Sequence, residues 1–345
     1  KRLVFDELLR IQLLLLARKR QLELATQGIS HDFSGDLVNK LIESLPFEPT
    51  NAQSKAIAEI FQDLRASYPM HRLLQGDVGS GKTLVAIAAL LSVVEAGKQG
   101  SIMAPTEVLA EQHFVSAKEL LGSFILMDST NLLGERKLNI SLLTSQTSEK
   151  DAKEIRAKLR RGEIDIIVGT HSLIQESVEF ADIGLAVVDE QHRFGVDQRA
   201  ALRNKGNSAA IPDLLVMTAT PIPRTAAMTV YGDLDVSILN ELPEGRIPVE
   251  TRRVADTPEL WNEVKAQILE GRQVFIVCPL IDESENIDTT SAEATYHRLK
   301  DAELREMSVG LLHGRMHPSE KQNVMDSFRN LSLIHISEPT RLHLI

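Results

Sequence analysis

Eight consecutive residues, Gly76-Asp77-Val78-Gly79-Ser80-Gly81-Lys82-Thr83, satisfy G-x-x-x-x-G-K-[ST] at every fixed position. Each residue type in that run has a chemical task. The glycines let the backbone turn tightly enough for several N–H groups to converge on phosphate oxygens, and a helix that follows adds the positive end of its dipole. Lys82 has the reach and the charge for terminal phosphates, and the Thr83 hydroxyl can bind Mg²⁺. A Gly-rich turn with an incidental Lys-Thr is the plainer alternative. It leaves unexplained the apolar run Arg72-Leu73-Leu74 before the glycines and Leu84–Leu91 after them, which are the strand and helix that a phosphate loop requires.

A second constellation is Leu185-Ala186-Val187-Val188-Asp189-Glu190-Gln191-His192. An apolar strand ending in two carboxylates places them at the carboxyl edge of a parallel sheet, where ligands bind. Adjacent carboxylates there are costly unless a cation or a reaction uses them. Asp189 suits a Mg²⁺ ligand and Glu190 suits polarising an attacking water. An apolar run followed by Asp-Glu is a weak signal by itself. About a hundred residues after a phosphate loop it becomes a strong one.

The elements that must hold these residues alternate. Strand-like runs fall at 72–74, 101–103, 140–143, 165–168, 185–188 and 214–217, with helix-like segments at 53–67, 83–96 and 148–161 between them. Such alternation predicts βαβ units and a parallel sheet. A second set follows Pro243, Gly245 and Pro248: strand 249–254, helix 258–270, strand 274–278, helix 292–304, strand 309–311 and helix 319–328. The Pro/Gly cluster is the domain boundary that the sequence offers. Residues 1–25 carry apolar residues at helical spacing and are expected to form a helix packed on a neighbouring domain, with 28–35 a connecting loop. The chain has 345 residues, 43% hydrophobic and 25% charged, which is globular composition, and 4% aromatic, so Leu, Ile, Val and Ala must build the cores. One cysteine, Cys278, excludes a disulfide framework and any Cys-based zinc site. His313 and His317 have i,i+4 spacing, but Gly314 and Pro318 argue against a helix there, and no zinc site is expected. No apolar run is long enough for a membrane span. Net charge is −10, which argues against a protein coated in basic residues and leaves room for a local nucleic-acid groove.

Asp189-Glu190-Gln191-His192 has the D-E-x-H form of superfamily 2 helicases, and the segment 189–199, DEQHRFGVDQR, resembles the RecG family of bacterial ATP-dependent branched-DNA helicases. So, in order, do LLQGDVGSGKT (73–83), MAPTEVLAEQH (103–113), VGTHSLIQE (168–176), MTATPIPRT (217–225), YGDLDVSILNELPEGR (231–246) and LLHGRMHPSEKQNVMDSFR (311–329). The resemblance covers nearly everything from Lys1 to Arg329. It implies an α/β fold of tandem RecA-like P-loop domains with parallel sheets, the second truncated, and ATP-driven branch migration and fork remodelling with ATP and Mg²⁺. It implies nucleotide contacts at Phe47, Gln53, Gly76, Asp77, Val78, Gly79, Ser80, Gly81, Lys82 and Thr83, with Gln53 pairing with an adenine edge. Thr83 and Asp189 would hold Mg²⁺, and Lys82, Asp189, Glu190 and His192 would carry catalysis. DNA contact or coupling falls to Pro105, Thr106, Gly169, Thr170, Thr218, Ala219 and Thr220. Contacts to a phosphate chain position without specifying sequence. The implied partner is branched double-stranded DNA, with no membrane, acting as a monomer in the bacterial cytoplasm. Transcription-repair coupling translocases share the phosphate loop, the D-E-x-H and TATPIPRT, so that reading stays open, as does a nucleotide-binding module without motor activity.

The family resemblance divides the chain into a lead-in at 1–45 from a wedge domain expected upstream, a first RecA-like domain at 46–245, part of a second at 246–330, and a tail at 331–345. The tail, LSLIHISEPTRLHLI, matches nothing in that family and is read as non-native sequence. On this division the 345-residue chain by itself is expected to bind ATP and to lack full activity.

Overall fold

The computed structural model describes residues 9–10, 13–14, 17, 20–21, 27–127, 134–175, 177–189, 210–219, 234–241, 250–278, 292–313, 316–329 and 334–337. The contact pattern divides the chain into two units, Lys1–Ile247 and Pro248–Ile345.

The first unit is organised by strands buried on both faces. β1 (His71–Gly76), β2 (Gln99–Met103), β5 (Ile140–Leu143), β6 (Ile166–Gly169), β7 (Ile183–Asp189), β8 (Asp213–Thr218) and β9 (Asp235–Leu239) form one sheet in the order β5-β6-β2-β7-β8-β1-β9. Every pairing in it is parallel. A short antiparallel ribbon, β3 (Ile125–Met127) with β4 (Glu135–Lys137), stands apart. Successive residues of each strand go to opposite faces, as the pleat dictates. Leu74, Ile102, Val168, Val187 and Leu215 join one core. Leu73, Met103, Ile167, Val188 and Val216 join the other. The first core is closed by α1 (Asp36–Ser44), α2 (Asn51–Leu64), α3 (Lys82–Glu95) and α4 (Glu107–Leu121), and the second by α5 (Glu149–Arg160). α3 is buried at every position from Leu84 to Val94, so it is the central helix of its layer.

One expectation needs correction here. Residues 33–44 were expected in a lead-in ahead of the first domain, yet Phe33, Leu37, Val38 and Leu41 lie in its core. An amphipathic helix buries its apolar stripe on the nearest complementary face, and here that face is α3 and α2. The loop before α1 is likewise tied down: Gly28 bridges to Ile211, and a Cβ there would stand 2.3 Å from the Tyr68 carbonyl carbon. The helical reading of 1–25 is met at the described residues, 9–10, 13–14, 17 and 20–21.

At the amino-terminal end of the sheet, His31 donates from Nε2 to Asp213 Oδ2 at 2.8 Å with both side chains fully buried, and Met70 N–H donates to Asp213 Oδ1 at 2.6 Å. Burial dominates this carboxyl and pushes its pKa up to about 6, against the pull of the His31 and Met70 hydrogen bonds.

The second unit has its own core of Trp261, Cys278, Ala292, Leu299, Leu304 and Val309. It comprises α6 (Pro258–Leu269), β10 (Phe275–Val277), α7 (Ala292–Asp301), β11 (Val309–Leu312), α8 (Pro318–Arg329) and β12 (Ile334–Ser337), with a parallel sheet in the order β10-β12-β11. The strand expected at 249–254 is absent from its described residues, 250–254. That stretch is exposed throughout 250–254, so no apolar face of it is buried against a core to hold it in a sheet, and Arg252 pairs with Glu250 and Glu263 at the surface.

Candidate functional site

β1 ends at Gly76 and α3 begins at Lys82, so the glycine-rich run is the strand-to-helix turn that the sequence predicts. Gly81 has φ +84, a conformation that favours glycine, and a Cβ on it would lie 2.2 Å from Gln53 Nε2 and displace that amide. The Lys82 ammonium donates to the Gly76 carbonyl at 2.8 Å and the Asp77 carbonyl at 3.0 Å. It is therefore folded over the loop itself, where phosphate oxygens can take over from carbonyls as partners. Val78 is 65% exposed and Ser80 fully buried, so the loop turns one side chain outward and one into the protein.

Gln53 sits directly against this loop. Its Nε2 donates to the Ser80 carbonyl at 2.8 Å, and its Oε1 accepts from Thr50 N–H at 2.9 Å. The Thr50 hydroxyl in turn accepts from Gln53 N–H at 3.2 Å, completing a capping box at the start of α2. An amide side chain has two donors and two acceptor lone pairs, and this buried one spends one of each on the loop and the helix start. Phe47, in the loop between α1 and α2, is 48% exposed. Sequence reasoning passed over Glu241, whose Oε2 accepts from Ala52 N–H at 3.1 Å and so holds the same helix start.

Strand order places the two constellations on one edge. β8 lies between β1 and β7, Gln75 is level with Thr218, and Asp189 is level with Met217. The carboxyl ends of three neighbouring strands thus carry the phosphate loop, Thr218-Ala219 and Asp189. Thr83 and Asp189 supply a hydroxyl and a carboxylate, hard oxygens and few in number, which is the donor set that Mg²⁺ takes beside phosphate oxygens. Glu190, His192 and Thr220 lie outside the described residues. Asp189 has a partner that the sequence did not suggest: His113 of α4, with Nε2 2.7 Å from Oδ2.

The other half of the edge belongs to β2, β6 and β5. Pro105 and Thr106 follow β2, and Thr106 caps α4 by accepting from Leu109 N–H at 3.3 Å. Gly169 and Thr170 follow β6, and a Cβ on Gly169 would stand 2.3 Å from the Leu143 carbonyl oxygen of β5. The Glu107 carboxylate accepts from the Ser145 hydroxyl and from Gln146 Nε2, at 2.6 Å for the latter, tying the loop after β5 to the start of α4. Ser145 and Gln146 were not singled out in the sequence; their position just past a strand at the carboxyl edge is the signal that could have found them.

Residues 50–229 match the family model described as DEAD/DEAH box helicase. The chain is 46% identical over 330 residues to the ATP-dependent DNA helicase RecG of Bacillus subtilis, covering 95% of this chain and 46% of that protein. It is 45% identical over 340 residues to the protein of the same name from Haemophilus influenzae, covering 96% and 47%. The chain thus spans about half the length of the curated relatives it matches. Among solved structures, RecG bound to a three-way DNA junction superposes with TM-score 0.76 at 38% identity, over 99% of this chain and 43% of that one. S. cerevisiae Dbp5 bound to RNA and ADP BeF3 superposes with TM-score 0.57 at 20% identity over 86% of this chain and 72% of that one, a likeness of fold alone. The parallel sheet is that of RecA-like helicase domains. The chain belongs to the DEAD/DEAH box helicase family.

Proposed function

We propose that this chain is the ATP-hydrolysing motor region of a RecG-type DNA helicase, which couples hydrolysis to branch migration and to remodelling of stalled forks and Holliday junctions. The observation that carries this reading is the single sheet edge on which a phosphate loop and Asp189 occupy one half, and Pro105, Thr106, Gly169 and Thr170 the other. Relatives 44–46% identical over 95% of the chain, each named ATP-dependent DNA helicase RecG, supply the kind of nucleic acid.

On this reading, the backbone N–H groups of 77–81 and the start of α3 hold the phosphates, and Lys82 exchanges its carbonyl partners for phosphate oxygens. Gln53 reads adenine while holding the loop from behind. Thr83 and Asp189 would hold Mg²⁺, which would supply positive charge against the negative charge developing on the phosphate oxygens. Glu190, next in the chain after Asp189, accepts a proton from the attacking water. Thr106 and Thr170 offer hydroxyls and N–H groups to a DNA phosphate chain, which needs only a local polar lining and is compatible with net charge −10. The working partner is branched double-stranded DNA, the working form a monomer, and the compartment the bacterial cytoplasm; no helix among the described residues is long and apolar enough to cross a membrane.

Nucleotide affinity of Lys82→Ala, measured beside a thermal melt, tests the loop. The expected outcome is a loss of at least tenfold in affinity for ATP with an unchanged melt, since the lysine is a phosphate partner and not part of a core. Normal affinity in a folded variant would remove the phosphate-loop assignment. In the full-length protein, Glu190→Gln is expected to keep ATP and Mg²⁺ binding while single-turnover hydrolysis falls by about 10²–10⁴. A rate near that of the unsubstituted protein would place the base elsewhere.

A further inference from the structure

We infer that His113, on the helix that begins at the proposed DNA contact Thr106, is a positioning residue for the Asp189 carboxylate and so for the magnesium ion of the bound nucleotide. The inference rests on the functional reading above and adds a residue and a route to it.

The contact is direct and sheltered. His113 Nε2 lies 2.7 Å from Asp189 Oδ2, and each side chain is 12% exposed. A carboxylate can only accept, so Nε2 carries the hydrogen and donates it. The bond engages Oδ2, and it orients the carboxylate as a hydrogen-bonded outer partner orients a metal ligand.

The route follows from helix geometry. His113 is seven residues after Thr106. Seven residues are close to two helical turns, so the two positions lie on nearly the same face of α4, about 10 Å apart along its axis. The helix is held as a rigid body: Ala110, Ala117 and Leu121 are fully buried, and α4 packs on β2, β5 and β6. Its first turn is also tied to the loop after β5, through Glu107 with Ser145 and Gln146. Any shift of the Thr106 end is therefore transmitted by α4 to His113, and from there to a carboxylate on β7. β2 and β7 are neighbours in the sheet, so the helix spans the seam between the nucleic-acid half of the edge and the nucleotide half.

The test compares His113→Gln with His113→Asn in the full-length protein. Both are polar and similar in size, but only the Gln amide nitrogen reaches the position of Nε2. Binding of a fluorescent ATP analogue is titrated with Mg²⁺ present and in EDTA, each with and without three-way junction DNA. In EDTA all three proteins should bind alike. With Mg²⁺, His113→Asn should weaken about tenfold and His113→Gln should stay within about threefold of the unsubstituted protein, the scale set by outer partners of metal ligands. The factor by which junction DNA changes Mg²⁺-dependent affinity should shrink toward one in His113→Asn and persist in His113→Gln. Equal behaviour of the two variants, or an equal loss in EDTA, would overturn the inference while leaving the functional reading in place. Absence of Mg²⁺-dependent nucleotide binding in the unsubstituted protein would overturn both.

Discussion

At the amino-terminal end of the sheet, away from the phosphate loop, Asp213 shows how far burial can move a single residue. Its carboxyl has a pKa raised from 3.8 to about 6 although two hydrogen bonds favour the charged form. Between those values the folded chain holds a proton that the unfolded chain has lost. This group's contribution to stability is therefore largest below about pH 4 and falls as pH rises toward 6. The amount is on the order of 3 kcal/mol for a shift of this size. Asp213→Asn keeps an acceptor for Met70 N–H and cannot titrate. Urea unfolding from pH 4 to 7 should show the difference in stability between Asp213→Asn and the unsubstituted protein growing in favour of the variant as pH rises, and levelling above about 6. A constant difference across that range would mean the carboxyl titrates as it does in water.

The same scale shows what a sequence can and cannot disclose about a site. Lys82, Thr83 and Asp189 are legible because their chemistry is local: a few residues of fixed spacing between a strand and a helix. His113 is not, because its partner lies 76 residues away and the contact exists only once β2 and β7 are adjacent. Gln53 falls between the two cases. Adenine contact there is implied by the family resemblance alone, and its hydrogen bond to Ser80, 27 residues on, is invisible in the sequence.

Strands with continuous apolar runs were legible for a physical reason. β6, β7 and β8 are buried on both faces, so nearly every residue must be apolar. β9 was missed because it is an edge strand: Asp235-Val236-Ser237-Ile238-Leu239 leaves Val236 and Ile238 about half exposed and buries Ser237. β9 nevertheless helps to fix the phosphate-loop strand. Arg72 of β1 donates to Asp63 at 2.7 Å, Glu59 at 3.3 Å and Ser237 at 2.9 Å, joining α2, β1 and β9 in one nearly buried cluster. Arg72→Leu removes the cation and leaves two carboxylates facing each other with little water. Removing one partner of such a buried set costs about 3–5 kcal/mol. Glu59 keeps some solvent exposure, so a loss of about 2–4 kcal/mol is expected from chemical denaturation of the first unit. Lys55→Ala, which removes an exposed i,i+4 partner of the same Glu59, should change stability by less than about 0.5 kcal/mol. Comparable losses in the two variants would mean that burial does not set the strength of this cluster.

At the scale of the molecule, the core of the second unit is separate from the two of the first and can be followed independently. Trp261, the only tryptophan of the chain, lies in the core of the second unit and donates from Nε1 to Asp256 at 2.6 Å. Its fluorescence therefore reports that unit. β12 is the strand on which the small sheet depends, since β10 and β11 each pair with it and are not neighbours of each other. The resemblance places 331–345 outside the family; residues 334–337, Ile-His-Ile-Ser, form a strand all the same. Backbone pairing is indifferent to lineage, and β-branched residues in alternation suit a central parallel strand whatever sequence supplies them. Deleting 331–345 should thus leave two unpaired edges, on strands where Phe275 and Val277 are already more than half exposed. The expected result is loss or early onset of the Trp261 transition and greater aggregation at moderate concentration. Nucleotide affinity, which belongs to the first unit, should be unchanged. Ile336→Pro, which removes a ladder N–H from the middle of β12, should reproduce the effect without shortening the chain. A Trp261 transition that survives both changes would show that β10 and β11 do not need this strand.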